Sequence, residues 1–226
     1  MQLAKPAIDV GLFTNNLEAM LRFWQDEVGL PFEELLLLGG GARQHRHGMD
    51  GSVLKINEGR DALPAAPPSG YRELLIARHG LTAARTLTDP DGNLVTLVPP
   101  GTDGVTGIGV HLAVRDEAAF HHFYAEQLGL EAAGERAYRC GTSILTFAHD
   151  RAAQPAGEMR GPGYRYLTIQ VRAVDSEHRE MLARGVEEGR PPVTLGTTAR
   201  ISFIRDPGGN WIEISQRASL TGPLPA

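Results

Sequence analysis

The sequence predicts an α+β fold built from tandem βαβββ modules, on two internal echoes and one repeated order of periodicities. The run Phe23-Trp24-Gln25-Asp26-Glu27-Val28-Gly29-Leu30 returns at an offset of 100 residues as Phe123-Tyr124-Ala125-Glu126-Gln127-Leu128-Gly129-Leu130. The run Asp89-Pro90-Asp91-Gly92-Asn93 returns as Asp206-Pro207-Gly208-Gly209-Asn210. Alternating residues follow each time, Leu94-Val95-Thr96-Leu97 and Trp211-Ile212-Glu213-Ile214. Self-similarity of this kind marks a duplicated unit. The junction is the Gly/Pro-rich stretch from Pro99 to Gly107.

The elements follow in order. Ile8 to Thr14 alternates apolar and polar, as a half-buried strand does. Asn15 or Asn16 can cap a helix whose apolar positions, Leu17, Met20, Leu21, Trp24 and Val28, fall on one face. Gly29 stands where a left-handed residue ends such a helix. Phe32–Leu38, Arg43–Met49 and Ser52–Asn57 read as strands, with Gly39-Gly40-Gly41 turning the chain between the first two. No helix follows those glycines, so a phosphate-cradling loop is not expected. The second copy repeats the order: strand Ile108–Val114, helix Glu117–Leu128, then strands Glu131–Glu135, Arg136–Cys140 and Ser143–Ala148. Its later half holds strand Tyr164–Val171 and a helix from an Asp175 cap to about Glu188. Strands Val193–Leu195, Ala199–Ile204 and Asn210–Ser215 complete it. Pro at the second position of each Asp-Pro-x-Gly-Asn run fits a turn.

The first copy is shorter in its later half. Strand Tyr71–Arg78 is followed almost at once by Thr82–Thr88. The interval Glu73–Thr96 is 24 residues shorter than the matching Tyr166–Glu213, about one helix plus one strand. The expected organisation is a first domain at 1–100 with a truncated second half, a second domain at 105–217, and a tail at 218–226.

Composition narrows the function classes. The 226 residues carry a net charge of −5 with no block of Lys and Arg, which argues against a nucleic-acid partner. One cysteine, Cys140, allows neither an intrachain disulfide nor a Cys-cluster zinc site, and a strand core is its expected place. No signal-like segment and no run of eighteen apolar residues stands out, so a cytoplasmic protein without a membrane partner is expected.

With the Phe-Trp/Tyr…Gly-Leu runs and the Asp-Pro-x-Gly-Asn-x-x-Glu hairpin in place, the chain resembles the vicinal-oxygen-chelate superfamily. That superfamily includes glyoxalase I, the fosfomycin and bleomycin resistance proteins, methylmalonyl-CoA epimerase and the extradiol dioxygenases. The resemblance covers about residues 7–99 and 107–217. It implies two cupped mixed β-sheets and a small-molecule substrate held through neighbouring oxygens on a divalent metal: iron, zinc, manganese or nickel. Homodimers are common in such a family, and the half-units can also satisfy one another within one chain. The function implied is a metal-dependent lyase or extradiol-type dioxygenase working in the second domain's cup. The alternative is a metal-free small-molecule binding protein of the bleomycin-sequestering type.

Mapped residue by residue, the last-strand ligand of the second cup falls on Glu213. The first-strand position falls on Gly109, which has no side chain, and His111 lies two residues on, on the same strand face. Tyr166 stands where an extradiol dioxygenase has histidine, with Thr168 and Gln170 on its face. Glu213 and His111 are therefore the expected metal ligands, and Glu213 and Tyr166 the expected catalytic residues. The matching positions in the first domain hold Asp9, Lys55, Glu73 and Thr96. These suit an acid–base group or an ion pair better than a metal. His45 and His47 share one strand face and read as a solvated hairpin. His121 and His122 read as helix surface.

Overall fold

Alternating sequence becomes strand, and 3.6-period sequence becomes helix, along residues 1–224, which the computed structural model describes. The first half-unit is β1 (Asp9–Phe13), α1 (Leu17–Arg22), β2 (Phe32–Gly39), β3 (Ala42–Met49) and β4 (Ser52–Glu58). The shortened second half-unit is β5 (Tyr71–Ala77), β6 (Arg85–Thr88) and β7 (Leu94–Val98). The third is β8 (Ile108–Val114), α2 (Glu117–His121), β9 (Glu131–Gly134), β10 (Ala137–Cys140) and β11 (Ser143–His149). The fourth is β12 (Gly163–Gln170), α3 (Val174–Ala183), β13 (Glu187–Leu195), β14 (Ala199–Arg205) and β15 (Trp211–Arg217). A final turn, α4 (Ala218–Thr221), opens the expected tail, of which residues 225–226 lie outside the described residues.

Helices α1 and α2 each widen into a π-helical turn, Phe23–Glu27 and His122–Gln127. That turn carries the echoed aromatic pair inward, so Phe23, Trp24, Phe123 and Tyr124 are all buried. Two local expectations are corrected. Asp175 does not cap α3: Ala173 holds the cap position, and Asp175 lies in the first turn, bound to Arg200 at 2.6 Å. The same helix ends at Ala183, not near Glu188. Gly185, with φ +83°, turns the chain out of the helix and into β13.

The strands form one sheet of eight, ordered β13-β14-β15-β12-β1-β4-β3-β2, and one of seven, ordered β6-β7-β5-β8-β11-β10-β9. Each sheet draws one half-unit from each copy. Strand β1 pairs antiparallel with β12, and β5 pairs antiparallel with β8. The reading in which each copy closes its own cup is thereby corrected: the first half-unit shares a sheet with the fourth, and the second with the third.

Alternation sets the faces of the eight-stranded sheet. Val10, Leu12, Leu54, Ile56, Leu167 and Ile212 join one apolar cluster that continues into Leu74, Ile76, Val110 and Leu112 of the other sheet. Phe13, Lys55, Asn57, Tyr166, Gln170 and Glu213 take the opposite face and look into a cavity. Arg165, fully buried, ties β12 to the loops between half-units by donating to the carbonyls of Pro67 (2.7 Å) and Glu158 (2.6 Å).

Candidate functional site

Four central strands of the eight-stranded sheet bring the polar floor of this cavity together. Thr168 on β12 lies across from Asp9 on β1 and from Glu213 on β15. Gly11 on β1 lies between Tyr166 on β12 and Lys55 on β4. A Cβ on Gly11 would strike the ring of Tyr166, so the missing side chain is what lets that ring lie across β1.

The floor is a closed triangle. Lys55 Nζ donates to Thr168 Oγ1 at 2.6 Å and to Glu213 Oε2 at 2.7 Å, and Thr168 Oγ1 donates to the same Glu213 oxygen at 2.6 Å. Lys55 is 3% exposed and Glu213 8% exposed, so water screens the pair weakly. Burial draws the Lys55 ammonium below its ordinary pKa, while the carboxylates of Glu213 and Asp9 oppose that shift. Two donors of Nζ are used. The third has no protein acceptor among the described residues, and neither does Glu213 Oε1 receive a donor there.

Around the triangle, Asp9 takes Lys5 as an ion-pair partner and accepts from Val53 N–H (2.9 Å) and Gln170 Nε2 (3.2 Å). Gln170 Oε1 is buried without a hydrogen-bond partner among the described residues. The Tyr166 hydroxyl accepts from Gln44 Nε2 and Asn57 Nδ2, each at 3.2 Å, and its ring lies 5.3 Å from Lys55 Nζ. Burial, with Glu213 close by, pushes its phenol pKa upward, so it stays protonated. Above the floor the cavity opens to about 770 Å³. Its walls are mostly apolar: Phe13, Leu36, Met159, Leu195, Ile201 and Phe203. That is the make-up of a small-molecule site, an apolar body with a few convergent polar groups.

Of the expected site residues, the fold brings Glu213 and Tyr166 into this cavity and leaves His111 out. His111 stands on β8 in the seven-stranded sheet, next to Glu73 on β5, and its Nδ1 lies 3.0 Å from Thr146 Oγ1. Glu213 and His111 are thus not ligands of one ion, because the half-units carrying them belong to different sheets. The expected group Asp9, Lys55, Glu73 and Thr96 divides the same way. Asp9 and Lys55 join Glu213, whereas Glu73 accepts from Thr96 in the other sheet. Lys55 is the residue whose place the sequence reading undervalued: it occupies in the first half-unit the position that Glu213 occupies in the fourth. The histidine pair is corrected too. His47 is fully buried, its Nε2 2.9 Å from Gln25 Nε2, not solvated on a hairpin. Cys140 is buried, as expected.

The donor set does not fit a divalent ion. Lys55 Nζ, 2.7 Å from Glu213 Oε2, takes one oxygen of that carboxylate, and its charge repels a second cation. Among the described residues, no group of three or more His, Cys, Asp or Glu is placed to hold a metal. No helix among them is long and apolar enough to cross a membrane.

Comparison with known proteins finds a family match for the second copy and similar folds for the whole chain. Residues 107–214 match the family described as the Glyoxalase/Bleomycin resistance protein/Dioxygenase superfamily. Glyoxalase I from Zea mays is similar in fold, with TM-score 0.73 at 14% identity over 95% of this chain and 92% of that one. A putative dioxygenase from Bacillus subtilis gives TM-score 0.67 at 13% identity, over 96% of this chain and 85% of that one. The cppA protein of Streptococcus pneumoniae gives 0.59 at 10% identity, over 95% and 98%. No curated protein matches the chain in sequence. The family match thus covers residues 107–214, the third half-unit and most of the fourth, and the two mixed sheets of the chain share their fold with glyoxalase I.

Proposed function

We propose that the protein binds a small, oxygen-bearing organic molecule in the cavity of the eight-stranded sheet and moves a proton on it, with Lys55 standing where relatives would hold a metal. One observation carries this reading: the buried Lys55 ammonium lies 2.7 Å from Glu213 Oε2 at the floor of an apolar cavity of about 770 Å³.

The chemistry follows from the free valences of that pair. A ligand carbonyl or hydroxyl oxygen accepts the unused N–H of Lys55. Negative charge developing on that oxygen is stabilised by the ammonium, which is itself 3% exposed and so weakly screened. Glu213 Oε1 takes a proton from the carbon or oxygen next to it. Thr168 holds Oε2 and Nζ in register. Tyr166, kept protonated and fixed by Gln44 and Asn57, walls the site and positions the ligand. The mostly apolar lining also favours a second reading, sequestration of a hydrophobic compound without turnover.

Proton exchange separates the two. Carbonyl ligands found by thermal shift should lose their α-protons in D2O with the wild type. They should bind without exchange in Glu213→Gln. Binding with no exchange in the wild type assigns sequestration. About one equivalent of iron, zinc, manganese or nickel in the loaded protein, lost in Glu213→Gln, would sink the reading.

A further inference from the structure

We infer that the cavity selects an organic acid, a flat or branched apolar body bearing one carboxylate, and that Arg160 and Arg190 at its mouth read the negative charge. This rests on the cavity of the eight-stranded sheet being the ligand site and goes beyond it by naming the ligand's class.

Charge carries the inference. The protein as a whole has net charge −5, yet five cationic side chains line this one cavity: Arg46, Lys55, Arg160, Arg190 and Arg217. The carboxylates that answer them are few. Glu213 pairs with Lys55 at 2.7 Å, and Glu34 lies between Arg46 (3.4 Å) and Arg217 (2.7 Å). Arg160 and Arg190 have no carboxylate partner among the described residues. The only bond of the Arg160 side chain there is to the Asp61 carbonyl, at 3.0 Å. Two uncompensated guanidiniums beside a low-dielectric cavity make a local positive field in an acidic protein, which attracts anions.

The mount of Arg190 adds geometry. Its guanidinium lies 5.8 Å from the centroid of Phe203 and 5.5 Å from that of Trp211, two rings packed edge to face. Phe203 also meets Tyr166 edge to face, and Tyr166 meets Phe13 at a tilt. The aromatic wall that holds Arg190 thus runs down toward the Lys55 floor. The place of Arg190 beside two ring faces restrains the guanidinium, and its N–H groups have no protein acceptor among the described residues, so they are free for a carboxylate. The apolar wall excludes a bare inorganic anion as the best fit: Met159, Leu195, Ile201 and Phe203 gain only from a ligand with an apolar body.

The test compares 2-naphthoate with its neutral isostere 2-naphthamide by calorimetry on the full chain, in wild type, in Arg160→Gln/Arg190→Gln and in Ile201→Trp. Both arginines are exposed, so the double variant should melt with the wild type. The acid should bind about tenfold more tightly than the amide, the size of a charge-assisted hydrogen bond. That advantage should fall below about threefold in the double variant and at about 0.5 M salt, where exposed charges are screened. Ile201→Trp, which fills the cavity, should abolish both. Equal affinity for acid and amide, lost in Ile201→Trp, overturns the inference and leaves the cavity as the ligand site. An advantage unchanged in the double variant assigns the charge to Lys55 and overturns the role of the two arginines. Binding of either compound that Ile201→Trp does not weaken overturns the cavity reading as well, as does no binding of either.

Discussion

Lys55 and Glu213 are 158 residues apart in sequence and 2.7 Å apart in the fold, at matching positions of the first and fourth half-units. Each is held in place by the other. Removing Lys55 alone leaves a buried carboxylate with only Thr168 as donor, at a cost of about 3–5 kcal/mol. Glu213→Gln should cost less, because an unpaired buried lysine can shed its proton. Lys55→Met combined with Glu213→Leu should recover most of the loss, since two apolar groups need no partners. Urea unfolding of Lys55→Met, Glu213→Leu and the double variant gives this cycle. Additive losses in the double variant would show that the two do not act as a pair.

Gly11 and Tyr166 make the second prediction. With no side chain on Gly11, the Tyr166 ring crosses β1, where its hydroxyl meets Gln44 and Asn57. Gly11→Ala should displace the ring and cost about 1–3 kcal/mol of overpacking. Tyr166→Phe keeps the ring and removes the acceptor, at about 1 kcal/mol. Ligand affinity should fall in Gly11→Ala and change little in Tyr166→Phe. Thermal melts with a bound ligand check both, and equal loss in the two variants would contradict a role for ring position.

The fold was legible because repeated residues carry local rules. Phe23-Trp24 and Phe123-Tyr124, each followed by Gly-Leu, and the paired Asp-Pro-x-Gly-Asn turns fix element order half-unit by half-unit. What those local rules do not contain is which half-units share a sheet. Strand β1 could have met β5 or β12, and alternation is satisfied by either. That single choice separates His111 from Glu213 and joins Lys55 to it. The end of α3 was misread for a local reason. The charged residues Glu187 and Glu188 suggest a longer helix, but Gly185 takes a left-handed conformation at the end of α3 and Glu187 and Glu188 pair with β14 instead.

The two Asp-Pro-x-Gly-Asn turns look alike in sequence but should differ in stability. Asn210 is 1% exposed. It donates to Asp206 Oδ2 at 2.8 Å and accepts from Gly70 N–H at 2.6 Å, so it ties two half-units together. Asn93 is half-buried, and the bonds of its side chain go to Asp89 within its own turn. Asn210→Ala leaves the Gly70 N–H and the buried Asp206 carboxylate short of partners and should cost about 2–4 kcal/mol. Asn93→Ala should cost about 1 kcal/mol. Equal losses by denaturant unfolding would mean that the Gly70 contact contributes nothing.

His47 should make stability fall in mild acid. Burial, with His45 as a minor opposing and repelling neighbour, holds its pKa down to about 4 from 6.5. Its Nδ1 has no partner among the described residues, and the His45 backbone offsets only part of the cost of burying a charge there. Between pH 6.5 and about 4 the unfolded chain binds this proton and the folded chain does not. The contribution is therefore complete above pH 6.5, lost progressively as pH falls toward 4, and constant below that. The loss is on the order of 2 kcal/mol. His47→Leu removes the titrating group while keeping an apolar side chain against Phe32 and β4. The difference in unfolding free energy between wild type and His47→Leu should shift in favour of the variant as pH is lowered from 7 to 4.5. A difference independent of pH over that range would show that His47 is protonated equally in both states and would overturn the prediction.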